Sequence, residues 1–72
     1  MKKILTDKQE EIYIIIKQFI EQKGYSPSIR ELCNLSNRKS PATIQDYLII
    51  LKDKGYITYE QGKNRTIRIK ED

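Results

Sequence analysis

Residues 40–60, SPATIQDYLIILKDKGYITYE, change their apolar period part-way along, and that change decides the architecture. Ser40 is a helix cap, and Pro41 takes the first helical position, where its missing N–H costs nothing. Ile44, Tyr47, Leu48 and Leu51 then recur at the 3.6-residue spacing of one apolar seam. Lys52, Lys54 and Gly55 supply a basic last turn and a left-handed stop, so the spacing predicts a helix over about 41–54. After Gly55 the period falls to two, with Ile57 and Tyr59 alternating with Thr58 and Glu60. Ile67 and Ile69 alternate in the same way with Thr66, Arg68 and Lys70. Gln61-Gly62-Lys63-Asn64 lies between the two runs and has Gly and Asn to accept positive φ, which predicts a hairpin.

Upstream, two further helices are expected. Thr6-Asp7-Lys8-Gln9 has the spacing of a capping box, with Leu5 before it as a staple. Ile12, Ile15, Ile16, Phe19 and Ile20 form one buried stripe, Tyr13 and Ile14 widen it, and Gly24 follows Lys23, giving a first helix over roughly 7–23 that serves as the central slab. Ser28-Ile29-Arg30-Glu31 repeats the box and opens a short helix whose apolar face is Ile29, Leu32 and Cys33, ending near Leu35 or Ser36. Between them, Tyr25-Ser26-Pro27 is held extended by the proline and has room for a short strand. Ser36-Asn37-Arg38-Lys39 is a polar turn.

Seventy-two residues with 33% charged and 38% hydrophobic side chains make one domain spanning 1–72. A chain this size buries only ~60% of the surface it exposes unfolded, so its core is thin and a deep cofactor pocket is not expected. There is no His and a single Cys, which excludes an intrachain disulfide and zinc-type ligand clusters. With no His base and three Gly in all, neither general-base catalysis nor a phosphate-cradling loop is indicated, so the chain reads as a non-enzyme without cofactor or metal. Cys33 reads as a small buried hydrophobe, because no His is present to activate it. Charges interrupt every apolar run, so no signal peptide or membrane span is read and an intracellular protein is expected.

The net charge of +4 is unevenly placed: residues 28–70 hold nine Lys or Arg against four acids. Three helices and a hairpin, with helices two and three joined by a short turn, form a winged helix-turn-helix, mainly α with a two- or three-stranded wing. Turning 100° per residue from Ile44 puts Ala42, Asp46, Ile49 and Asp53 opposite the seam, with Thr43 and Gln45 on its flanks. The first turns therefore present Ser40, Ala42, Thr43, Gln45 and Asp46, which are short or hydrogen-bonding and suit a DNA major groove about 12 Å wide. Gln reads adenine, Ala and Thr methyls meet the thymine methyl, and Asp accepts from cytosine. Arg30, Arg38 and Lys39 on one side, with Lys63, Arg65 and Arg68 on the hairpin, are expected to grip phosphates.

Read in order, Leu5-Thr6, Gln9, Ile12, Gly24, Pro27-Ser28, Arg30-Glu31-Leu32, Ser40, Thr43-Ile44, Leu48, Leu51, Lys54-Gly55 and Ile57 form a string that resembles the N-terminal DNA-binding domain of the LexA repressor family. Gly62 followed by Arg65-Thr66-Ile67-Arg68-Ile69 looks like that family's wing, and the resemblance covers about residues 4–69. It implies a repressor domain whose third helix reads the major groove through Ser40, Ala42, Thr43, Gln45 and Asp46. It further implies a homodimer on a two-fold operator, weak or monomeric when free, controlling DNA-damage (SOS) genes in a bacterial or phage cytoplasm, on the nucleoid.

The family's self-cleaving C-terminal half, with its Ser and Lys pair, is not in this sequence, so no self-cleavage is expected. Two explanations stand, an excised domain of a longer repressor or a complete small regulator. A rival from another class is a protein-interaction winged helix that docks a regulatory partner through Ile49, Ile50 and the wing. A nonspecific architectural binder is a weak third reading, because the outward face of the third helix has more hydrogen-bonding groups than cations.

Overall fold

The computed structural model describes residues 3–63 and 65–70. Its elements are helix α1 (Asp7–Lys23), helix α2 (Ile29–Leu35), helix α3 (Pro41–Asp53), strand β1 (Ile57–Thr58) and strand β2 (Arg68–Ile69). The expected helices are all present, and the two strands pair antiparallel with Ile57 opposite Ile69 and Thr58 opposite Arg68. Asn64 of the predicted turn lies outside the described residues, as do Met1, Lys2, Glu71 and Asp72.

Both capping boxes close. At α1 the Gln9 N–H donates to Thr6 Oγ1 at 3.3 Å and the Thr6 N–H to Gln9 Oε1 at 3.1 Å. At α2 the Glu31 N–H donates to Ser28 Oγ at 3.2 Å and the Ser28 N–H to Glu31 Oε1 at 2.9 Å. Each box satisfies two backbone donors that a helix start otherwise leaves orphaned. The turn after α2 is a Schellman closure built on asparagine: Asn37 takes φ 59, and the Arg38 N–H reaches back to Cys33 O at 3.0 Å. Buried Ser36 seals the same end by donating to Leu32 O at 2.6 Å. α3 ends on the same device with Gly55 at φ 88 and the Tyr56 N–H on Leu51 O at 3.0 Å, which turns the chain straight into β1.

The core lies where the three helices and the hairpin meet. Ile12 and Ile16 of α1, Leu32 of α2, Ile44, Leu48 and Leu51 of α3, and Ile57 of β1 are almost fully buried, with Cys33 and Ile67 beside them. Burying each such aliphatic side chain stabilises the fold by about 1.5–3 kcal/mol relative to exposure. Tyr13 and Tyr56 pack edge to face at 5.1 Å, joining α1 to the start of the hairpin.

The hairpin departs from expectation in two ways. Its ladder is two residues long on each strand, although Ile67 and Ile69 point inward and Arg68 and Lys70 outward as the alternation predicts. Beyond the ladder Thr66 substitutes for backbone pairing: its Oγ1 accepts from the Glu60 N–H at 2.9 Å. Among the described residues no strand forms at 25–27 either. There the buried Ser26 hydroxyl, in place of a backbone carbonyl, accepts the wing's Ile67 N–H at 3.1 Å. A side-chain acceptor at that point fills the role a third strand would have had.

Candidate nucleic-acid interface

The N-terminal half of α3 is divided cleanly between core and solvent. Ile44 and Leu48 are buried, whereas Ser40, Ala42, Thr43 and Asp46 are exposed. Ser40 caps the helix by accepting the Thr43 N–H at 3.4 Å, which leaves its own hydroxyl hydrogen for an external acceptor. Gln45 is half-buried, and its Nε2 donates to the Tyr59 hydroxyl at 3.4 Å. One amide hydrogen is occupied by that bond, while the second and the amide oxygen remain available to a base edge. Tyr59 is also covered by Lys52, whose Nζ lies 4.9 Å from the ring centre.

Grooves flank this helix on both sides. Arg30 of α2, Arg38 and Lys39 of the turn, and Pro41 of α3 line one. Gln45 and Tyr59, with Lys63 and Arg65 of the wing, line the other. Arg68 lies on the outer face of the hairpin, beside Thr58 and Glu60, and shares a shallow hollow there with Arg65. The structure thus brings Arg30, Arg38 and Lys39 together on one flank and Lys63 and Arg65 on the opposite one.

These cations are not equivalent. Arg30, Lys39 and Arg68 are exposed and enter none of the ion pairs formed among the described residues. Lys63 meets Glu60 at 3.4 Å with both side chains well exposed, a pair of little energetic weight that yields readily to another anion. Arg38 instead turns inward: it bonds Glu11 of α1 at 3.4 Å and Ser36 O at 3.2 Å, stacks on Tyr47 at 5.2 Å, and keeps only 20% of its side chain exposed. The hydrogen bond it donates to Glu11 raises its pKa further, so it stays charged throughout. Arg65 is held by Glu31 at 2.9 Å, Ser26 O at 3.1 Å and the Tyr25 ring at 4.9 Å.

Sequence reasoning missed three residues that shape this surface. Tyr59 read only as an inward strand residue, Glu31 only as half of a capping box, and Ser26 only as an extended residue before proline. Each acts on a partner far along the chain, where no period or spacing announces it.

Comparisons with known proteins bear on the chain as a whole. The LexA DNA-binding domain family matches over residues 1–66. The chain belongs to this family. It is 47% identical over 72 residues to the LexA repressor of Caldicellulosiruptor saccharolyticus, covering 100% of this chain and 36% of that protein. Against the LexA repressor of Clostridium kluyveri it is 43% identical over 63 residues, 88% of this chain and 31% of the relative. Against that of Desulfatibacillum aliphaticivorans it is 45% identical over 65 residues, 90% of this chain and 32% of the relative. The chain therefore spans about a third of the length of these LexA relatives. The family matched is that of a DNA-binding domain, and no described helix is long and apolar enough to cross a membrane.

Proposed function

We propose that this chain, as one unit, binds duplex DNA sequence-specifically and acts as a transcriptional repressor without catalysis of its own. The single observation that carries the reading is the bare N-terminal half of α3, with Ala42, Thr43 and Asp46 open to solvent between two cation-lined grooves. In this reading α3 lies in the major groove, Ser40, Ala42, Thr43, Gln45 and Asp46 face base edges, and Arg30, Lys39, Lys63 and Arg68 meet phosphates. The relatives' designation as LexA repressors supports the regulatory role. One module buries roughly 600–1,000 Å² on DNA, so two copies on adjacent half-sites of a two-fold operator supply useful affinity. The setting is the cytoplasm of a bacterium or phage-infected cell, at the nucleoid.

Selection from a random duplex pool tests this. One enriched palindrome is expected, and Thr43→Ala or Gln45→Ala should alter base preference by about 1–3 kcal/mol per lost base contact. Lys63→Ala should weaken all sequences alike and flatten the salt slope by ~0.9. Equal affinity for every duplex would overturn the reading.

One observation favours a second reading. Ile49 is 49% exposed on the outward face of α3, between Asp46 and Asp53. That patch suits a protein partner, and Ile49→Asp separates the two: a lost protein complex with intact DNA affinity supports docking.

A further inference from the structure

The wing has little to hold it in place, which makes its polar attachments decisive. Its ladder is two residue pairs long, and an isolated two-stranded hairpin is marginal in water. Four attachments converge on the segment between α1 and α2 and on the first turn of α2. The Ile67 N–H ends on buried Ser26 Oγ; the Arg65 guanidinium reaches Ser26 O; and that guanidinium also meets Glu31 at 2.9 Å and lies over the Tyr25 ring. Arg65 adopts φ 57, a left-handed conformation that costs a non-glycine residue energy and persists only where surroundings fix it. Glu31 works on both sides at once, since the oxygen that pairs with Arg65 also accepts the Ser28 N–H of the capping box. The bond from Ser28 and the pairing with Arg65 hold the Glu31 carboxyl below its ordinary pKa, so the pair is ionised at neutral pH.

We propose that Arg65 is a positioning residue: it clamps the wing to the capped start of α2, fixing where Lys63 and Arg68 stand relative to α3, and does not itself grip a phosphate. The clamp rests on the DNA-binding reading for its consequence, although its geometry does not. The two roles make opposite predictions at Glu31. If Arg65 served as a phosphate contact, removing the neighbouring negative charge would free it and strengthen binding. As a clamp, Arg65 loses its anchor and binding weakens.

The test uses the whole chain with three variants, Arg65→Ala, Arg65→Lys and Glu31→Gln, titrated over a salt series against the duplex that selection yields. Gln serves in a capping box as Glu does, so Glu31→Gln keeps α2 capped while breaking the ion pair. All three variants should weaken binding about tenfold, the size of one lost charge-assisted hydrogen bond, with the salt slope unchanged. Lys should not rescue, because an ammonium cannot span a carbonyl, a carboxylate and a ring face together. Combining Arg65→Ala with Glu31→Gln should cost no more than either alone. Rescue by Lys, a slope flattened by ~0.9 in Arg65→Ala and tighter binding by Glu31→Gln would overturn the clamp.

Amide hydrogen exchange on the free protein separates this result from the DNA-binding reading. Faster exchange at Ile67 in Arg65→Lys and Glu31→Gln supports the clamp, and unchanged exchange overturns it. A wild-type chain that binds no duplex would defeat the DNA-binding reading alone.

Discussion

The helical bundle and the wing are held by different physics. Ile12, Ile16, Leu32, Ile44, Leu48 and Leu51 are sealed into one apolar cluster, whose cohesion scales with area and ignores charge. The wing contributes Ile57 and Ile67 to that cluster but is located by Ser26, Glu31, Arg65 and Thr66, through bonds with direction and protonation state. Under the proposed function, a helix set rigidly in a core beside an arm on polar tethers would let one part hold register while the other responds to ionic conditions.

The largest expected effect breaks the bundle. Leu48→Ala should cost about 2–5 kcal/mol, against a total of about 4–11 kcal/mol for a domain this size, so denaturant unfolding followed by circular dichroism should shift its midpoint strongly. Wing and helices should be lost together in that transition. Ser26→Ala should separate the regions: it leaves the buried Ile67 N–H without its acceptor, at about 1–3 kcal/mol. Exchange at the Ile67 amide should then quicken while the Ile16 amide keeps its protection. Equal loosening of both would end the distinction between the regions.

How far each region could be read from sequence follows the same line. Caps, stops and periods are local, so Thr6 with Gln9, Ser28 with Glu31, and the Ile44–Leu48–Leu51 seam suffice to place three helices. The alternation at Ile67, Arg68 and Ile69 likewise placed the second strand. What stayed illegible were pairings such as Arg38 with Glu11 and Arg65 with Ser26, 27 and 39 residues apart, which carry no periodic trace. The short strand for which 25–27 had room does not form for a related reason, since a serine side chain accepts the bond that a third strand's carbonyl would take.

Two smaller effects sharpen the comparison. Asn37→Ala puts a β-carbon-bearing residue without a local polar group into the left-handed turn between α2 and α3, and should cost about 1 kcal/mol in thermal unfolding. Acidification should act on the wing. Because the Glu31 pKa is lowered in the folded state, chiefly by the Ser28 backbone bond and also by Arg65, its stabilisation is present above the ordinary Glu value of about 4.3 and is lost as pH falls through the folded one. Exchange at Ile67 should accelerate over that range in the wild type, and Glu31→Gln should remove this part of the dependence.

The lashing at the far end of α3 has a practical corollary. Lys54 Nζ donates to Ile4 O at 3.0 Å and to Gln9 Oε1 at 2.7 Å, and the Tyr56 hydroxyl donates to Lys3 O at 2.8 Å. Lys3 and Ile4 are thereby moored roughly 20 Å along the helix axis from Ser40, at 1.5 Å per residue. Under the proposed function, a fluorophore or affinity handle attached ahead of Lys3 would be tethered away from Ser40 and could report on complex formation without obstructing it.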